Sequence, residues 1–168
     1  MLESSQDLHL ESIEGKLPNV IFENNPDEDL LKDLEKVSKD LLSYAINEFK
    51  TLEESGVIQV EGSSIKYPSK DQNIVKKLTI IYFAAVGILI RIYEKKKDLE
   101  LLRYLINEYF ECKPYTFGNI FYELLRTAVK DERSKELIKE ECLRRLRENP
   151  DEPTRSMAVS LLETLLEV

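Results

Sequence analysis

Residues 25–56 read NPDEDLLKDLEKVSKDLLSYAINEFKTLEESG, and their periodicity sets the architecture of the whole chain. Leu30, Leu34, Val37, Leu41, Ala45, Phe49 and Leu52 follow one another at steps of three or four without a break in phase. That spacing gathers side chains on one side of an α-helix, and Leu31, Leu42 and Ile46 widen the stripe. Asn25, Pro26 and Glu28 combine an N-cap type, a first-turn proline and a capping-box acid, so the helix is predicted to start here. Gly56, able to adopt the left-handed conformation that closes a helix, predicts its end near Glu54.

Working outward, two short β-rich runs, Val57-Ile58-Gln59-Val60 and Ile65-Lys66-Tyr67, flank Glu61-Gly62-Ser63-Ser64 and predict a small hairpin near residues 57–67. Ser69 and Gln72 then form a capping box for a helix containing Leu78-Thr79-Ile80-Ile81-Tyr82-Phe83-Ala84-Ala85-Val86-Gly87-Ile88-Leu89-Ile90. This run is apolar on nearly every side, yet its thirteen residues fall short of the roughly 20 that cross a bilayer. Arg91 interrupts it, so it is expected to be a buried central helix, with no membrane as partner. Four amphipathic helices are expected to follow. They are lined in turn by Leu102, Leu105, Ile106, Tyr109 and Phe110; by Phe117, Ile120, Phe121, Leu124, Leu125 and Ala128; by Ile138, Cys142, Leu143 and Leu146; and by Ala158, Leu161, Leu162 and Leu165. The expectation is an all-α chain: residues 1–25 as an N-terminal arm, then a single helical domain over 26–168 built as a bundle of about six helices with one small hairpin.

Composition narrows the function classes. With 168 residues, 42% apolar and 33% charged, the chain can bury a core without staples. It is rich in Glu and Lys, has no Trp and only three Gln, a thermophile-like balance. No cationic segment followed by an apolar one opens the sequence, so a cytoplasmic location is expected. The net charge of −8 is unevenly placed: residues 1–74 carry 16 acids against 7 bases, residues 75–168 carry 16 against 17. The acidic first part should repel nucleic acid. Within the second, Arg126, Lys130, Arg133, Lys135, Lys139, Arg144, Arg145 and Arg147 fall inside 22 residues, and Glu123, Asp131, Glu132, Glu136, Glu140, Glu141 and Glu148, interleaved with or flanking them, nearly cancel their charge. Arg144, Arg145 and Arg147 are the candidates there for phosphate contact.

Signals for catalysis are missing. Cys112 and Cys142 stand thirty residues apart in no CxxC or Cys/His cluster, and the lone His9 has no partner at ligand or triad spacing. No phosphate loop, dinucleotide fingerprint, zinc-hydrolase helix or nucleophile elbow occurs. The expectation is therefore a non-enzyme with no catalytic, cofactor-binding or metal residues. Seven of the fourteen Tyr and Phe side chains lie between Tyr104 and Tyr122. Tyr104, Tyr115 and Tyr122 fall off the core stripe or in a connection, which makes them candidates for a protein interface.

The segment from Lys39 to Pro68, with its Leu52-Glu53-Glu54-Ser55-Gly56-Val57-Ile58 ending ahead of the hairpin, resembles the close of a winged-helix domain. That resemblance implies DNA binding through the helix and its wing. Two physical features oppose it: the apolar stripe runs in phase through Ser38-Lys39-Asp40, where a helix-turn-helix must break, and Glu48, Glu53 and Glu54 face a phosphate groove with the wrong sign. The leading expectation is a non-enzymatic interaction or accessory subunit with a protein partner. A nucleic-acid-associated factor, using the hairpin or the stretch 126–147, is the alternative. A homo-oligomer is compatible with either.

Overall fold

A computed structural model of the protein describes residues 19–61, 64–66, 72–112, 125 and 130–166. It is mostly helical, as the periodicities require. In chain order the elements are α1 (Glu28–Glu54), β1 (Gln59–Glu61), β2 (Ser64–Lys66), α2 (Gln72–Lys96), α3 (Leu99–Glu111), α4 (Glu132–Arg147) and α5 (Glu152–Leu166). The helix expected over 117–128 lies outside the described residues apart from Leu125, which is buried. The elements fall into two compact units, one holding α1 and most of α2, the other the strand pair with α3, α4 and α5.

In the first unit, α1 is a single helix of 27 residues that passes through Ser38-Lys39-Asp40 unbroken. Its N-cap is Asp27, whose carboxylate accepts the Leu30 N–H at 2.8 Å, two residues later than the Asn25 start read from the sequence. Asn25 instead takes a positive φ of 48°, a conformation Asn tolerates, and Pro26 precedes the helix. At the other end Gly56 has φ of 76°, as a residue just past a helix should. The buried side chains of α1 are Leu31, Ser38, Leu42, Ala45, Ile46 and Phe49.

Helix α2 is buried over most of its circumference through its middle, by Tyr82, Phe83, Ala85, Val86, Ile88, Leu89, Ile90, Ile92 and Tyr93, while Ile80 and Ala84 are half-buried and Arg91 is exposed along the remaining side. Between Asn73 and Lys96 it is long and apolar enough to cross a membrane by length and composition, yet 61% of the most apolar part is buried inside the protein itself. A helical turn at residues 19–23 is fastened to its C-terminal half. Arg91 donates to Asn19 Oδ1 at 3.1 Å and lies 5.8 Å from the Phe22 ring centre, while Lys95 donates to Asn25 Oδ1 at 2.9 Å.

The second unit contains the strand pair, in which Gln59 lies opposite Lys66 and Glu61 opposite Ser64, antiparallel. Three residues a strand form no layer of the architecture, which rests on helices. Helix α3 is capped by Asp98, which accepts the Glu100 N–H at 2.9 Å, and buries Leu101, Leu102, Leu105, Ile106, Tyr109 and Phe110. Helix α4 contacts both α3 and α5 and buries Leu137, Ile138 and Cys142. Its cap, Asp131, takes both the N–H of Ser134 at 3.0 Å and its hydroxyl at 2.8 Å. These two bonds hold the Asp131 carboxyl below its ordinary pKa, with nearby Lys97 adding to the effect. Helix α5 follows at once, Asp151 capping it through the Thr154 N–H at 3.0 Å, and it buries Ala158 and Leu161.

Candidate functional site

The feature with the least structural explanation is the outer side of α1. At about 100° per residue, the core residues Leu31, Leu42 and Phe49 point in one direction. Leu30, Val37, Leu41 and Tyr44 point roughly a quarter-turn or more away from it, and they are exposed by 47%, 54%, 38% and 50%. Leu34, on the near edge of this second row, is half-buried. The helix therefore carries two apolar rows side by side, one in the core and one in solvent. Of the seven residues that lead the sequence periodicity, three lie outside the core: Leu30, Val37 and Leu41 are exposed, Ala45 and Phe49 are buried, and Leu31 and Leu42, which merely widen that stripe, are in the core.

The charges around this outer row are ordered. Continuing round the helix past Val37 and Tyr44, the next row holds Asp29, Asp33, Asp40 and Asn47, all exposed and with no base among them. Glu48 continues the apolar row itself after Tyr44. The lysines of α1 lie beyond, and Lys39 is held by Glu35 at 2.8 Å. Asp29 lies in the first turn, where the helix dipole favours an acid. Asp33 and Asp40 have no such cause, and among the described residues neither has an ion-pair partner.

The basic candidates are mostly engaged within the protein. Arg144 donates to Glu141 and to Glu148, each at 2.8 Å, and these bonds raise its pKa above the ordinary arginine value. Arg145 lies flat against the core of its unit: its Cζ is 4.3 Å from the Phe110 ring centre and its Nη2 donates to Asn107 Oδ1 at 2.6 Å. Burial, helped by the adjacent Arg144 charge, lowers the Arg145 pKa. Arg147 is exposed. Lys135 and Lys139 pair with Glu132 and Glu136. The stretch read as basic is therefore, over its described part, a helix surface laced with ion pairs, each contributing little.

Of the aromatic candidates, Tyr104 is half-buried with its hydroxyl enclosed, and Tyr115 and Tyr122 lie outside the described residues. Cys112 and Cys142 are both buried and reduced. The Cys112 thiol donates to the Tyr109 carbonyl at 3.0 Å, and burial pushes the Cys142 thiol up to about 12, which makes it inert as a nucleophile at neutral pH. Among the described residues no group of three or more His, Cys, Asp or Glu side chains gathers where one metal ion could bind.

The chain matches no family model, no curated protein and no solved structure at a significant level.

Proposed function

We propose that this protein is a non-enzymatic interaction subunit, and that the outer face of α1 is the surface by which it joins a protein partner in the cytoplasm. One observation carries the reading: Leu30, Val37, Leu41 and Tyr44 form an exposed apolar row on a helix whose other row already supplies the core. Single exposed apolar residues need no explanation, but four in register along a helix form a contiguous patch of the kind that partners cover. Tyr44 adds an aromatic at one end of the row, a residue type enriched at binding hot spots. A phosphate-binding face has weaker support, because Arg144 and Arg145 are committed to carboxylates, an amide and a ring within the protein.

The test is affinity isolation from the native host with three full-length baits: the wild type, a Val37→Asp/Leu41→Asp variant, and an Arg144→Ala/Arg147→Ala variant. All are treated with nuclease. The reading expects partners that survive nuclease, disappear with the α1 variant and persist with the arginine variant. Partners that the α1 variant retains, or that the arginine variant alone loses, would refute it.

A further inference from the structure

We infer that the partner's contribution to this interface is a cationic amphipathic helix laid along α1, an inference that rests on the interaction surface proposed above. The spacing gives the shape. Leu30, Leu34, Val37, Leu41 and Tyr44 alternate steps of four and three, which is the a/d seam of a helix pair and matches an extended strand or a flat surface poorly. From Leu30 to Tyr44 the seam rises about 21 Å, so a partner helix of about four turns covers it. Glu48 falls on the next seam position and ends the apolar register.

The charge gives the chemistry. Along the outer flank of the seam, Asp33 and Asp40 stand one heptad apart, the position whose partner across a helix pair is usually a charged side chain. Neither has a counter-ion among the described residues, so lysines or arginines on the incoming helix would complete the pairs. A second copy of this chain fits poorly, since it would bring the same aspartates against one another when the outer flanks meet. An anionic membrane or a nucleic acid is repelled by the same row.

The experiment uses the full chain and two synthetic helical peptides of equal length, both with Leu at heptad a and d, one flanked by Lys and the other by Glu. Binding is read by fluorescence anisotropy at physiological salt, with circular dichroism melts of every variant to show that it folds. The wild type should bind the Lys peptide about five-fold or more tighter than the Glu peptide. Asp33→Lys/Asp40→Lys should reverse that preference, and Leu41→Asp should weaken both peptides. Equal binding of the two peptides, unchanged by the aspartate reversal, would overturn the cationic partner while leaving the docking surface standing. Self-association in sedimentation that Leu41→Asp abolishes, without peptide binding, would replace the partner helix by a second copy. If neither peptide binds and Leu41→Asp changes nothing, both the inference and the surface beneath it fall.

Discussion

Two adjacent leucines of α1 should respond very differently to the same truncation. Leu42 is fully buried, whereas Leu41 is 38% exposed on the outer row. Replacing either by Ala removes three carbons, worth about 0.8 kcal/mol each when fully buried. At Leu42 the whole transfer term applies and a cavity closed to water is added, for a total of about 3–4 kcal/mol. At Leu41 little more than half of the side chain is covered, water refills the space, and Ala is the better helix former, so the net cost is about 1 kcal/mol. Urea unfolding followed by circular dichroism measures both, provided the m-values agree with wild type. A difference of about 2 kcal/mol or more is expected. Equal costs, or a larger one at Leu41, would mean that α1 is rotated from the orientation described and that the outer row belongs to the core.

Arg145→Ala should destabilise the protein by about 1–2 kcal/mol through loss of the Phe110 stacking and the Asn107 bond, whereas Arg147→Ala should stay within about 0.5 kcal/mol; paired denaturation curves decide. For Cys142, whose pKa is pushed up to about 12 in the folded chain, the unfolded thiol ionises first as pH rises past 9.0, so stability declines above that pH. The effect is about 1 kcal/mol per pH unit and should be missing in Cys142→Ala when both proteins are unfolded in urea between pH 8 and 10. Gly56→Ala should lower stability by about 1 kcal/mol although nothing crowds the site, because φ of 76° strains any side chain there; an unchanged midpoint would contradict this.

How much of this was legible beforehand depends on the residue. The helical class, and α1 to within two residues at its start, follow from periodicity and turn chemistry, because those are local properties of the chain. The burial of α2 over most of its circumference follows likewise from a run apolar on nearly every side. Which row of α1 faces the core is not local. Leu30, Leu34, Val37, Leu41 and Leu31, Leu42, Ile46, Phe49 both obey helical spacing, and only packing chooses between them. A signal was present all the same: the apolar arc of α1 is much wider than the stripe one core face occupies, so part of it had to be left outside the core. The cap shifted from Asn25 to Asp27 because two competent capping residues stand two apart and only backbone geometry selects one. Arg145 read as surface charge since it lies in the run Arg144, Arg145, Leu146, Arg147, while its partners Asn107 and Phe110 are more than thirty residues away.

If the proposed docking surface is right, the outer row of α1 is open in the free chain and covered when the partner is bound. Hydroxyl-radical footprinting of the purified protein and of the complex recovered from its host measures this side chain by side chain. Leu41 and Tyr44 should be oxidised readily in the free protein and protected in the complex, with Tyr82 protected in both as the internal reference. Equal oxidation of Leu41 and Tyr44 in the two samples would contradict the account.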